Sequence, residues 1–125
     1  MNNLDVTDIE NFLYFRRVKK VLRIVDGDTV VLVCDKGKRE WDEEVYRLYA
    51  INTPERRKAT MEAYKAAKAY LSDIIKDGGQ IYVNTLKDED DAFGRWLAVL
   101  YNERGECLNR TMLDSGHAVL WKRNS

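Results

Sequence analysis

Between Arg47 and Glu55 the chain reads Arg-Leu-Tyr-Ala-Ile-Asn-Thr-Pro-Glu, an apolar strand that opens on an arginine and stops at a proline flanked by oxygen-bearing side chains. Asp26-Gly27-Asp28-Thr29 lies upstream and Phe93-Gly94-Arg95 downstream. Brought to one place, these segments supply two arginines, two or three carboxylates, and hydroxyl and amide oxygens. Guanidinium forks grip phosphate oxygens at two points and hard cations take oxygen ligands, so the set suits holding a divalent cation against a phosphate diester. The chain has one histidine, His117, which excludes a two-histidine acid and base mechanism and a multi-histidine zinc site within one copy. It follows Gly116 at a helix end and reads as structural. No motif supports a serine or cysteine nucleophile with a histidine base. Whatever chemistry exists rests on metal, carboxylate and arginine.

Each piece taken singly has a plainer reading. Asp26-Gly27 is a hairpin signal, Glu55 an exposed acid before a helix, Arg47 one half of a structural salt bridge, and Phe93 a core residue. The elements that position them decide between the readings. Residues 12–25 alternate basic and apolar positions with β-branched character and predict a long strand. The run Thr29–Cys34 follows directly, so Asp26-Gly27-Asp28 predicts a hairpin connection. A polar loop is expected over 35–43 and a third strand over Val45–Ile51, which Pro54 cannot extend. Apolar residues from Thr60 to Lys76 recur at three- and four-residue steps and predict the one long helix, closed by Gly78-Gly79. Gln80–Leu86 and Trp96–Tyr101 predict two more strands, a turn follows at Asn102–Gly105, and 108–115 reads as a short helix ended by Gly116. Ala118–Trp121 is left as a terminal apolar stub. Five strands with a long helix between the third and fourth is the element order of an OB-fold, a mainly β, partly open barrel.

Length and composition bound the rest. At 125 residues the chain is expected to be a single domain over 1–125, with 1–11 as an N-terminal extension. No apolar run approaches the roughly 20 residues of a membrane span, and the N-terminus lacks a basic and an apolar leader region, so a cytoplasmic protein without membrane contact is expected. Cys34 and Cys107 lack Cys-x-x-Cys spacing and read as reduced structural thiols. The 21 basic and 21 acidic residues cancel, which disfavours a protein that coats duplex nucleic acid. The basic clusters at 16–20, 56–58 and 122–123 read as solvated faces.

With these residues in order, the sequence resembles the staphylococcal (thermonuclease-type) nuclease family over about Val21–Trp121, through Val25-Asp26-Gly27-Asp28-Thr29-Val30, Arg47–Glu55, Phe93-Gly94-Arg95 and Gly116-His117-Ala118. The resemblance implies a calcium-dependent phosphodiesterase in which Asp28 binds the metal and Asp26 supports the turn. It implies Glu55 as the general base on attacking water, Arg47 and Arg95 as the grip on the scissile phosphate, and Phe93 as an aromatic beside the nucleotide. It also implies products ending in 3′-phosphate and 5′-hydroxyl, and a C-terminal helix after the terminal stub; without that helix either stability is expected to suffer or Leu4–Phe15 to pack in its place. Two departures stand out. The family's second calcium aspartate, at the end of the third strand, is Asn52 here. Asparagine offers a neutral oxygen, so with the Thr53 carbonyl as a further ligand calcium is expected to bind about 10 to 1000 times more weakly. The acidic run 88–91 stands before Gly94, where Asp91 either positions the loop or adds to metal binding. The leading expectation is an endonuclease on DNA and RNA, preferring single strands and acting as a monomer. A catalytically inactive nuclease-like module that binds nucleic acid or a protein partner is the alternative, and an interaction domain with no nucleic-acid role is a third reading.

Overall fold

The computed structural model describes residues 14–87 and 91–121. The extension 1–11, most of Leu4–Phe15, and Asp88, Glu89 and Asp90 lie outside the described residues. Strand β1 (Tyr14–Asp26), β2 (Thr29–Gly37) and β3 (Glu40–Leu48) form the expected antiparallel meander. After a short strand β4 (Ile51–Asn52) and one 3-10 turn at Lys58–Thr60, helix α1 (Met61–Asp77) leads to β5 (Tyr82–Lys87) and β6 (Trp96–Tyr101). Helix α2 (Leu108–Asp114) and β7 (Val119–Leu120) finish the described chain. The barrel is closed in the order β1-β2-β3-β6-β5, with β5 returning to β1 and the β3–β6 pair parallel. This is the predicted mainly β barrel of OB-fold type, with its long helix between the third and fourth barrel strands.

The barrel closes on apolar residues of β2, β3, β5 and β6, the last buried on both faces. Val30, Leu32, Leu48, Val83, Val99 and Leu100 have no exposed surface. Burying side chains of this size stabilises by roughly 2 kcal/mol each before chain entropy is counted. Helix α1 lays Tyr64, Ala67, Leu71 and Ile75, spaced three and four apart, onto this core. Cys34 is buried and Cys107 half-buried; both are free, and burial raises both thiol pKa values, so neither favours the thiolate.

Three boundaries differ from the sequence expectation. The segment 35–43 is not a loop: β2 runs to Gly37 and β3 begins at Glu40, with Gly37, Lys38 and Arg39 turning at positive φ. Both faces of this tip are solvent-facing or salt-bridged, as between Arg16 and Asp42 at 3.1 Å, so backbone pairing persists without apolar alternation. The strand expected over Val45–Ile51 stops at Leu48, because the chain turns at Tyr49-Ala50, where Ala50 takes φ 64°. Ile51 and Asn52 resume as a separate strand, and the supposed stub supplies its partner: Ile51 pairs with Leu120 and Asn52 with Val119.

Candidate functional site

The β1–β2 connection brings Asp28 to the barrel mouth. Gly27 there does not adopt a left-handed conformation; its need is space. A Cβ at Gly27 would lie 3.0 Å from both Ala67 Cβ and Thr53 Cγ2, so the hairpin packs directly on α1 and on the segment after β4. Gly27→Ala is therefore expected to cost about 1–3 kcal/mol through overpacking, read by urea denaturation; an unchanged midpoint would show that the contact gives way freely.

Asp28 is buried. Its Oδ1 accepts a hydrogen bond from the Thr29 hydroxyl at 3.2 Å, and its Oδ2 accepts one from the Thr53 backbone N–H at 3.1 Å. Arg47 places Nη1 3.1 Å from the same Oδ2 and donates from Nη2 to the Ile51 carbonyl at 3.0 Å. The guanidinium carbon stands 5.0 Å from the centre of the Trp121 ring. An arginine leaving β3 is thus fixed by a carboxylate from the hairpin, a carbonyl from β4 and an indole from the end of β7, with 12% of its side chain exposed. Breaking such a part-buried pair by removing one partner is costly, since the other charge stays behind.

Arg95 is held in a comparable way. Its backbone N–H and Nε donate to Asp91 Oδ2 at 2.6 and 3.0 Å, and Nη2 donates to Oδ1 at 2.7 Å. This two-point grip from Arg95 is the main reason the Asp91 carboxyl is pulled down to about 2, so it stays ionised at any ordinary pH. Asp91 serves as the clamp of Arg95. Phe93, 82% exposed, is no core residue and lies 5.1 Å from the Arg95 guanidinium carbon.

One open cleft of about 460 Å³ is lined by Asp26, Asp28, Asn52, Thr53, Glu55, Arg47 and Arg95, so seven of the nine residues singled out in the sequence meet there. Asp91 and Phe93 do not line it and connect to it through Arg95. Asn52 is exposed on β4 and Thr53 is buried. Glu55 sits at the rim, 64% exposed and ion-paired with Arg57. Thr29, Pro54, Arg56 and Trp121 complete the wall. Trp121 carried no functional signal in the sequence, where it ends an apolar stub. His117 lies away from the cleft, stacked on Tyr70 at 4.5 Å between ring centres, as a structural residue does.

The donor types in the cleft are all oxygen, which fits a hard cation such as calcium and not zinc. Charge is the weak part of the fit. Asp28 already faces Arg47, and among the described residues no three Asp, Glu, His or Cys side chains converge as a metal cluster. The cleft lining also balances three arginines against three carboxylates, Asp26, Asp28 and Glu55. A comparison with curated proteins returns no match. A family model described as staphylococcal nuclease homologue matches residues 45–125, which includes Arg47, the Asn52–Glu55 segment and Arg95 and leaves the β1–β2 hairpin outside the match. Since the match covers well over half of the chain, this protein belongs to the staphylococcal nuclease homologue family.

Proposed function

We propose that the chain is a calcium-dependent endonuclease that hydrolyses phosphodiester bonds of single-stranded DNA and RNA. The observation that carries this reading is the convergence of Arg47, Arg95 and Glu55 with the oxygens of Asp28, Asn52 and Thr53 on one cleft. Arg47 and Arg95, each pre-oriented by a carboxylate, donate to the oxygens of the scissile phosphate and stabilise the charge that grows on them during attack. Glu55 accepts the proton of the attacking water; its exposed carboxylate reaches solvent directly. Calcium held by Asp28, Asn52 and the Thr53 carbonyl would polarise the phosphate when bound. Asp26 supports the turn that presents Asp28, and Phe93 offers a ring face on which any base can stack.

A second reading, a nuclease-like module that binds nucleic acid or a protein without cutting it, is favoured by two facts. Asp28 is already neutralised by Arg47, and the position after Ile51 contributes no charge. Cleavage of denatured DNA over a calcium series, micromolar to tens of millimolar, separates the two. Restoring the missing charge with Asn52→Asp is expected to lower the calcium needed for half-maximal cleavage by tenfold or more, from the roughly 4 kcal/mol of an ion pair at intermediate permittivity less what hydration offsets. End-labelling should then find 3′-phosphates. A parent chain inactive throughout, beside an active Asn52→Asp variant, would establish the binding module; 5′-phosphate products would sink the assigned chemistry.

A further inference from the structure

A hollow among the described residues is larger than the arginine cleft. It is a groove of about 550 Å³ between β1 at Val21–Ile24 and the solvent side of α1 from Lys65 to Lys76. A second hollow of about 270 Å³ continues it along β1, sharing Val21, Ile75 and Lys76. Together the two are lined by six cations, Lys19, Lys20, Arg23, Lys65, Lys68 and Lys76, and by no carboxylate. The chain as a whole carries equal numbers of acidic and basic residues, so this face is a local segregation of charge. The acids of α1, Glu62, Asp73 and Asp77, stay out of the groove. Lys19 lies over the Trp41 ring at 3.1 Å, and the other five cations make no ion pair with any described residue. Beneath them the floor is aliphatic: Leu22, 40% exposed, with Ile24, Ala69 and the edges of Val21 and Ile75.

We propose that this groove is the docking site for an acidic amphipathic helix of a partner protein. A basic rim over an aliphatic floor is complementary to a helix with apolar residues on one face and Glu or Asp flanking them. Lys65 and Lys76 are eleven residues apart on α1, a length of about 16 Å or three helical turns. A helix of similar length lying alongside meets all of the rim. Two features speak against a nucleic-acid strand here. No aromatic ring lines either hollow, and the Trp41 ring beside the rim is capped by the Lys19 ammonium, so the groove itself offers bases no stacking surface. The groove also shares no lining residue with the arginine cleft, and the acidic Asp26, beside the Val25 carbonyl that accepts the Tyr64 hydroxyl at 3.1 Å, belongs to the cleft. The proposal is independent of whether the cleft cuts.

The test is amide chemical-shift mapping on the full chain, titrated with a labelled helical peptide of about 14 residues built from Ala, Leu and Glu, its leucines at three- and four-residue steps. Shifts confined to Lys19–Ile24 and Lys65–Lys76 are expected. The double reversal Lys65→Glu with Lys68→Glu should weaken binding about tenfold, since each exposed pair contributes modestly and each reversal adds repulsion; Leu22→Ser should weaken it without altering charge. Circular dichroism of both variants checks the fold, and cleavage of short oligonucleotides should be unchanged. Absence of shifts at millimolar peptide, or shifts unaffected by either variant, would overturn the proposal. So would an oligothymidylate that occupies the same residues more tightly than the peptide, which would make the ligand a nucleic acid.

Discussion

Glu55→Gln is expected to lower the cleavage rate by about 10²–10⁴-fold, the usual contribution of a positioned general base, while leaving folding stability within about 0.5 kcal/mol of the parent. The asymmetry follows from where Glu55 stands. Its carboxylate is 64% exposed and its ion-pair partner among the described residues, Arg57, is 70% exposed. Exposed pairs of this kind contribute little to stability. The backbone there is held independently of the side chain, through the Arg57 N–H at 2.9 Å from the Glu55 carbonyl. Glutamine keeps the shape and loses the ability to take a proton at neutral pH, so a rate loss isolates the chemistry. Arg47→Ala is a poorer probe, since it also strands Asp28 without its partner. Arg57→Ala is the necessary control, because it removes the same ion pair and leaves the carboxylate. If Arg57→Ala loses as much activity as Glu55→Gln, the effect belongs to loop geometry and Glu55 is not the base. Single-turnover rates at saturating calcium make the comparison independent of metal affinity.

Much of the architecture was legible because it is written in periodicity. The β-branched run of β2 and the three- and four-residue spacing of α1 each report a buried face directly. The residues that meet in the cleft were legible for a related reason: most sit near a strand end or hairpin tip, where polar side chains interrupt an apolar run, and barrel closure gathers such ends at one mouth. What stayed hidden has no compositional trace. Ala50 adopts a left-handed backbone that nothing in its chemistry announces, and that turn splits the third strand and frees Ile51-Asn52 to pair with β7. A loop-positioning role for Asp91 was legible as one of two readings, but its partner was not: the clamp joins it to Arg95 four residues on in a segment that is not helical, so spacing did not predict a bidentate contact. The part played by Trp121 depends on β7 existing at all.

Asn109→Ala is expected to destabilise the fold by about 4 kcal/mol, roughly a thousandfold in the folding equilibrium. Asn109 has no exposed surface. Its Oδ1 accepts the Leu100 backbone N–H, and its Nδ2 donates to the Tyr49 and Ala98 carbonyls, all at 3.0 Å. One side chain on α2 therefore fastens β6 and the turn after β3. Alanine leaves the Leu100 N–H and the Tyr49 carbonyl buried without these partners, at about 1–3 kcal/mol each, and opens a small cavity besides. Ala98 is affected less, because its carbonyl also accepts the Tyr49 N–H at 2.8 Å. An aspartate cannot rescue the site: it keeps the acceptor, loses both donors and buries a charge. The effect should extend to function while the protein is still folded. The Tyr49-Ala50 turn sets the path of Ile51, Asn52 and Thr53, and the Ile51 carbonyl holds Arg47 in place. Urea denaturation measures the stability loss, and calcium-dependent cleavage of denatured DNA well below the variant's midpoint measures the second effect. A loss under about 1 kcal/mol would mean that water or neighbouring groups take over these hydrogen bonds, and the asparagine would then be a bystander in a cleft positioned by the barrel alone.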